Sequence, residues 1–343
     1  MSTKVLICDD SGFARKQMAR SVPDGWNVEF RFADNGQKAL DIIQQEQIDF
    51  MFLDLNMPVM DGYQTMQVIK DLGLSINVIV VSGDVQPEAH RRMKSLGALD
   101  FIHKPIDNPK LAEILVQHGI YLGETTAATR EKSIANNDKP EVPLSEKLDA
   151  FREMANVAMG QAGKRLAQLL DQFIDLPVPN VNLIETTELH MAIAEISHNE
   201  SVSAVSQGFL STGISGEALL IFNDSNFANM VKLLKYKQEK MNEQIELEAL
   251  MDVSNIMVSA CLAGLSEQLK VHFTHNHPIV LGQHCGLEEL LDTNVSRWDR
   301  VLAIEIGYAI KSHEINFDLL LLFPDKSIDL MFDKLVKVLN KSC

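Results

Sequence analysis

The sequence predicts two domains of different class: an α/β domain on a buried parallel sheet, residues 1–122, and an α+β domain, residues 144–343. Three observations lead there. Short, β-branched apolar runs alternate with amphipathic helical segments as far as Tyr121. A polar stretch without apolar period follows, and the remainder carries a faint internal duplication.

The apolar runs are Val5-Leu6-Ile7-Cys8, Val28 to Phe30, Phe50 to Leu53, Val78 to Val81 and Leu99 to Ile102. Runs this short and continuously apolar suit strands buried on both faces, and the helical patterns between them make βαβ units. The stretch "GETTAATREKSIANNDKPEVP", 123–143, reads as a flexible linker. Beyond it, Asn156 and Pro179 recur 99 residues later as Asn255 and Pro278, and "LLIFNDSNFANM" from Leu219 matches "LLLFPDKSIDLM" from Leu320 at an offset of 101. Two near-equal offsets far apart imply two copies of one unit, a pseudo-two-fold repeat with halves near 145–240 and 241–343. Each would supply a long helix, strands and a short helix, with the helices packed on a largely antiparallel sheet.

Composition is that of an ordinary globular chain: 343 residues, 46% hydrophobic and 23% charged. The net charge of −16 is shared, with 12 basic against 16 acidic residues in 1–122 and 19 against 31 in the rest. Such a surface repels a phosphate backbone, which argues against nucleic-acid binding. Cys8, Cys261, Cys285 and Cys343 are scattered without a CxxC pair, as in a reducing compartment. No leader pattern precedes the first strand and no pure apolar run is long enough to span a membrane, so a cytoplasmic protein is expected.

Four fragments at strand ends carry chemistry. "LICDDS" presents Asp9 and Asp10, "MFLDLNMP" presents Asp54, "VVSGD" presents Ser82 and "FIHKP" presents Lys104. In an open parallel sheet, ligands bind beyond the carboxyl ends of the strands, where these residues would converge. Three carboxylates together suit a hard divalent cation such as Mg²⁺. That cation, Lys104 and the Ser82 hydroxyl could neutralise a phosphoryl group in transfer while a carboxylate attacks it.

On these fragments, with "FADNGQKAL" and "MKSLGALDFI", the amino-terminal domain resembles the response-regulator receiver family of the CheY type over its full length. The resemblance implies a doubly wound, flavodoxin-like five-stranded sheet. It implies Asp54 as phosphoacceptor, Asp9, Asp10, Asp54 and the Asn56 carbonyl as Mg²⁺ ligands, and Ser82, Lys104 and Phe101 as supporting residues. A CheA-like histidine kinase would be the phosphodonor.

The segment "DAFREMANVAMGQAG" reads as a helix whose apolar stripe is Leu148, Phe151, Ala155, Ala158, Ala162, Leu169 and Phe173. Asp149, Glu153, Asn156 and Gly160 fall within about 60° of one another on a helical wheel, opposite Phe151, and so face outward. An interior glycine costs about 1 kcal/mol relative to alanine, a cost that close approach of another surface would explain. Early-turn acids favouring the helix dipole, with a solvated amide and a packing glycine, would also account for the face. The second copy repeats the set as Glu248, Asp252, Asn255 and Ser259.

With both copies, the domain resembles the CheC/CheX/FliY chemotaxis phosphatases over about 150–340. Their signature is an acid or serine, three residues, Glu, two residues, Asn, twenty-two residues, Pro. Asp149, Glu153, Asn156 and Pro179 fit every interval, whereas in the second copy Asp252 stands where the family has Glu. The resemblance implies Glu153 and Asn156, and in the second copy Asp252 and Asn255, as catalytic residues hydrolysing the phosphoaspartate of a CheY-like receiver. An amide can donate to and accept from an in-line water, and Glu153 could pair with the receiver lysine. Phosphorylated Asp54 would either control action on a separate receiver, the preferred arrangement, or itself be the substrate, in cis or within a homodimer. The alternative is a docking module without enzymatic activity, switched by phosphorylation and binding a chemotaxis or flagellar-motor partner.

Other features read more plainly. His272, His275, His277, His284 and Cys285 lack the spacing of a familiar zinc site and read as surface residues. Met154, Met159, Met251 and Met257 read as core or a subunit contact, and "KYKQEKMNEQIELE" as a solvated connection.

Overall fold

The computed structural model describes residues 2–121, 142–185, 201–235, 243–285 and 298–341. Most of the expected linker, 123–141, lies outside them.

Five strands, β1 (Thr3–Cys8), β2 (Val28–Ala33), β3 (Phe50–Leu53), β4 (Asn77–Ser82) and β5 (Asp100–His103), form a parallel sheet in the order β2-β1-β3-β4-β5. Every expected strand is present, and the second runs on to Ala33. The central strands are apolar on both faces because helices cover both: α1 (Gly12–Ser21), α2 (Gly36–Gln45), α3 (Gly62–Asp71), α4 (Pro87–Leu96) and α5 (Asn108–Gln117). Ser11, Asn35, Asp61 and Asp107 start four of them by accepting a backbone N–H of the first turn, so those helix starts are fixed locally. The winding reverses between β1 and β3, opening a crevice at their carboxyl ends beside Asp9 and Asp54.

The second domain begins with α6 (Leu144–Leu170), followed by β6 (Asn180–Glu185), β7 (Val202–Ser211), β8 (Ile214–Asn223) and α7 (Phe227–Leu233). Then come α8 (Glu243–Leu269), β9 (Thr274–His275), β10 (Ile279–Cys285), β11 (Arg300–Ile310), β12 (Ile315–Pro324) and α9 (Asp325–Lys341). The antiparallel sheet runs β10-β7-β8-β12-β11-β6, with β9 on β7. Among the described residues, and setting aside the short β9, long helix, edge strand, hairpin and helix thus occur twice in the same order. Exchanging β6, β7 and β8 for β10, β11 and β12 maps the strand order onto its own reverse.

The two 27-residue helices cross closely: a Cβ on Gly264 would lie 2.8 Å from the Ala158 Cα. Gln268 Nε2 donates to the Met154 carbonyl across that crossing at 2.9 Å. By length and composition α8 is apolar enough to cross a membrane. Here Val253, Met257, Cys261 and Leu265 are buried in the domain core, and Met154, Met159 and Met257 belong to the same core. The run expected as a connection is partly helix, since Glu243–Glu248 opens α8.

His284 ties the start of α8 to the sheet, with Nδ1 2.9 Å from Asp224 and Nε2 3.0 Å from Glu246. The hydrogen bond to Asp224 leads in raising its pKa, and burial opposes it. A raised folded-state pKa means this clamp is fully present below the unfolded value of about 6.5 and is lost as pH rises through the folded value. The melting temperature should therefore fall more steeply above pH 6.5 in the native chain than in His284→Gln. Parallel slopes in a pH series of thermal melts would remove the clamp.

Candidate functional site

Asp9 follows β1, Asp54 follows β3, Ser82 ends β4 and Lys104 follows β5, so sheet geometry alone gathers them. Lys104 Nζ lies 2.7 Å from Asp9 Oδ2 and 3.2 Å from Asp54 Oδ1. Asp54 is 1% exposed. Its Oδ2 accepts the Asn56 N–H at 3.1 Å, whereas Oδ1, near the ammonium but poorly aligned with it, has no hydrogen-bond partner. Burial raises the Asp54 pKa well above the carboxylate range, with Asp9, Glu153 and Asp10 adding to the rise and Lys104 opposing it. Asp10 is pushed up to about 6, by burial first and Asp9 second. For Lys104, burial favours the neutral amine, but Asp54, Asp9 and Glu153 outweigh it and keep the ammonium.

One buried cation thus faces a surplus of carboxylates. Asp9, Asp10 and Asp54 each place an oxygen within 4.8 Å of the others. An all-oxygen donor set, an Oδ1 without a hydrogen bond and excess negative charge fit Mg²⁺. Ser82 is fully buried and its Oγ accepts the Asp84 N–H at 3.1 Å. Phe101 is buried, with His90 and His103 5.3 Å and 5.1 Å from its ring.

The polar face of α6, expected to point away from its own domain's core, does so and is covered by the other domain. Glu153 is 8% and Asn156 4% exposed, because the receiver's strand-end crevice sits on them. Glu153 Oε1 lies 3.1 Å from Lys104 Nζ, and Asn156 Oδ1 accepts from Asn56 Nδ2 at 3.3 Å. Burial raises the Glu153 pKa to about 7 against the pull of Lys104. Asp149 Oδ2 accepts the Phe13 N–H at 2.6 Å. A helical wheel fixes which residues share a face, but not what lies against it.

Two members of the expected apolar stripe depart from it. Leu169 is 44% exposed, and Phe173, beyond the helix end at the left-handed Asp171, packs on the receiver core instead. Phe13 makes the reverse contact, packing from the receiver onto the second domain's core.

The glycine has the neighbour its position called for. A Cβ on Gly160 would lie 1.8 Å from the carbonyl oxygen of Gly83, and one on Gly83 would lie 2.9 Å from that of Asn156. The two backbones touch only because both residues lack side chains. Gln86 completes the contact: its Nε2 donates to the Ile174 carbonyl at 2.8 Å and its Oε1 accepts the Ile174 N–H at 3.0 Å. Sequence reasoning missed Gly83 and Gln86. Gly83 is visible as the residue after Ser82 in "VVSGD", whereas nothing in the sequence marks Gln86.

The matching face of α8 lies away from the receiver. Glu248, Asp252 and Asn255 are exposed, and Asn255 Oδ1 accepts from Gln207 Nε2 at 3.2 Å. Ser259 occupies the position matching Gly160 in the second 27-residue helix, with its Oγ 3.1 Å from His275 Nε2. Its side chain stands where, on α6, the Gly83 carbonyl approaches Gly160. Among the described residues, His272, His275, His277 and His284 are exposed and belong to no metal-binding group. The Cys285 side chain lies outside the description.

Residues 5–116 match the family described as response regulator receiver domain. A protein-glutamate methylesterase/protein-glutamine glutaminase of Bacillus subtilis is 32% identical over 146 residues, which is 40% of this chain and 40% of that protein. One from Syntrophomonas wolfei is 29% identical over 170 residues, 49% of this chain and 46% of that protein. The chain thus spans under half the length of these curated relatives. Among solved structures, Thermotoga maritima FliY aligns with 57% of this chain and 98% of its own at 20% identity, TM-score 0.44. A CheX–CheY complex from Borrelia burgdorferi, with BeF₃ and magnesium, covers 35% of this chain and 90% of its own at 29% identity, TM-score 0.33.

Proposed function

From the premise that the amino-terminal domain is a response regulator receiver, we propose that this chain is a two-component, chemotaxis-type regulator that hydrolyses the phosphoaspartate on its own Asp54. One observation carries the reading: the Lys104 ammonium is shared by Asp54 at 3.2 Å and Glu153 of α6 at 3.1 Å, beside the Asn56–Asn156 hydrogen bond. This reverses the preference for a separate substrate.

Asp9, Asp10 and Asp54 would hold Mg²⁺, which when bound neutralises phosphoryl oxygens. Lys104 supplies the remaining positive charge and Glu153 fixes its position. Asn156 holds water in line, since an amide both donates and accepts. The water oxygen bonds to phosphorus as the bond to the Asp54 oxygen breaks. Free carboxylate and inorganic phosphate result, and the water proton leaves with the product. An acyl phosphate has a good leaving group, so orienting the water is the main task, and orientation can supply several kcal/mol. A histidine kinase of the CheA type would charge Asp54 while the domains are apart.

The α8 face works differently. Ser259 blocks the pose that Gly160 permits, so Asp252 and Asn255 do not act on a receiver seated in this way. Asp54 labelled with ³²P in the full chain should lose its label at a first-order rate unchanged over a hundredfold dilution. A rate that rises with protein concentration places the reaction between molecules and overturns the cis assignment.

A further inference from the structure

A cavity of about 980 Å³ opens between the receiver and the long helices. Its floor is the site itself, Asp54, Lys104 and Glu153. Lys110 of α5, Lys164 and Arg165 of α6 and Lys270 just past α8 also line it. Three elements from both domains thus contribute four cations to one opening. Among the described residues, none of these four side chains forms an ion pair or a side-chain hydrogen bond. In a chain of net charge −16, four unneutralised cations around one cavity are not an average surface.

Two acids share this wall and keep their charge, so the four cations outnumber them there. Glu267 accepts from Gln161 at 3.0 Å, and Asp107 caps α5. His103, also lining the cavity, registers the local field: burial lowers its pKa, and Lys110, His90 and Lys164 lower it further.

We propose that Lys110, Lys164, Arg165 and Lys270 form an anion-binding vestibule that receives inorganic phosphate leaving Asp54. The inference rests on the cis-hydrolysis reading, because that reaction releases an anion in a place the docked domains otherwise close. Asp54, Lys104, Glu153 and Asn156 are all buried, so the product needs a route that does not require the domains to part. The cavity supplies that route, with room for a hydrated phosphate. Its cations attract the anion outward from a floor crowded with carboxylates. Bound there, phosphate obstructs the same path and slows the next release.

The probe is inorganic phosphate added to the full-length protein. Calorimetric titration at constant ionic strength, with chloride in the reference arm, is expected to give one phosphate site of millimolar affinity. Lys164→Gln/Arg165→Gln should weaken it at least fivefold. In the label-release assay, phosphate should slow the native chain about twofold near its Kd and the double variant much less. No binding beyond the chloride arm overturns the proposal, as does binding unchanged in the double variant, which would place phosphate at Lys104 alone. Cation-dependent phosphate binding in a chain that shows no label release would leave the vestibule standing and remove the hydrolysis reading. Label release without cation-dependent binding does the reverse.

Discussion

Asn156→Ala is expected to lengthen the lifetime of phosphorylated Asp54 about a hundredfold, the effect usual for losing one well-placed transition-state group. The substitution removes one buried hydrogen bond, to Asn56 at 3.3 Å, with a stability cost of about 1 kcal/mol. A shift of that size moves a thermal midpoint by a few degrees and leaves the chain folded. The two readouts therefore separate. If Asn156 only cements the interface, melting falls and label loss is unchanged. If it orients water, label loss collapses as well, far beyond what a shift of a few degrees in melting explains. Equal decay of ³²P from the native chain and Asn156→Ala would falsify the enzymatic reading and leave the phosphorylation-switched docking module as the better account.

Gly160→Ala should act through geometry, with two opposite signs. Alanine favours the helix by about 1 kcal/mol over glycine, so α6 by itself gains. The added Cβ would lie 1.8 Å from a backbone oxygen of Gly83, which is no flexible side-chain tip and cannot turn aside. The receiver must back away from α6, separating Lys104 from Glu153 and Asn56 from Asn156. Label release should fall at least tenfold, and protease sensitivity between the domains should rise. Gly83→Ala should reproduce the defect, because its Cβ would meet the Asn156 carbonyl at 2.9 Å. Normal hydrolysis in both variants would mean that the close backbone contact has no part in the reaction.

Much of this site could be read from residues alone. Asp9, Asp54, Ser82 and Lys104 stand at the ends of short buried strands, and a parallel sheet brings such positions together whatever else the chain does. The α6 face was also readable, because Glu153, Asn156 and Gly160 share one side at helical spacing. Which surface covers it was not. Periodicity reports on one element against its own core, whereas the contact of Gly160 with Gly83 joins positions in different domains. Gln86 shows the limit most clearly: its amide binds both backbone groups of Ile174, yet a glutamine before a helix carries no pattern. Phe173 was misassigned for a similar reason, since the wheel was carried past the turn that ends α6.

Phe13 and Phe173 are exchanged anchors, each ring lodged against the other domain's core. Parting the domains returns both rings to water. With about half of a full aromatic burial at stake in each, at roughly 25 cal/mol per Å², that alone costs about 4 kcal/mol. At about 1.4 kcal/mol per tenfold, the two rings by themselves would hold the unlatched form to on the order of one molecule in a thousand. On the proposed reading, a kinase that must catch Asp54 in that form would meet about a thousandth of the protein at any instant. On that reading the scarcity of unlatched molecules, more than the reactivity of the carboxylate, would set how fast the signal can be written.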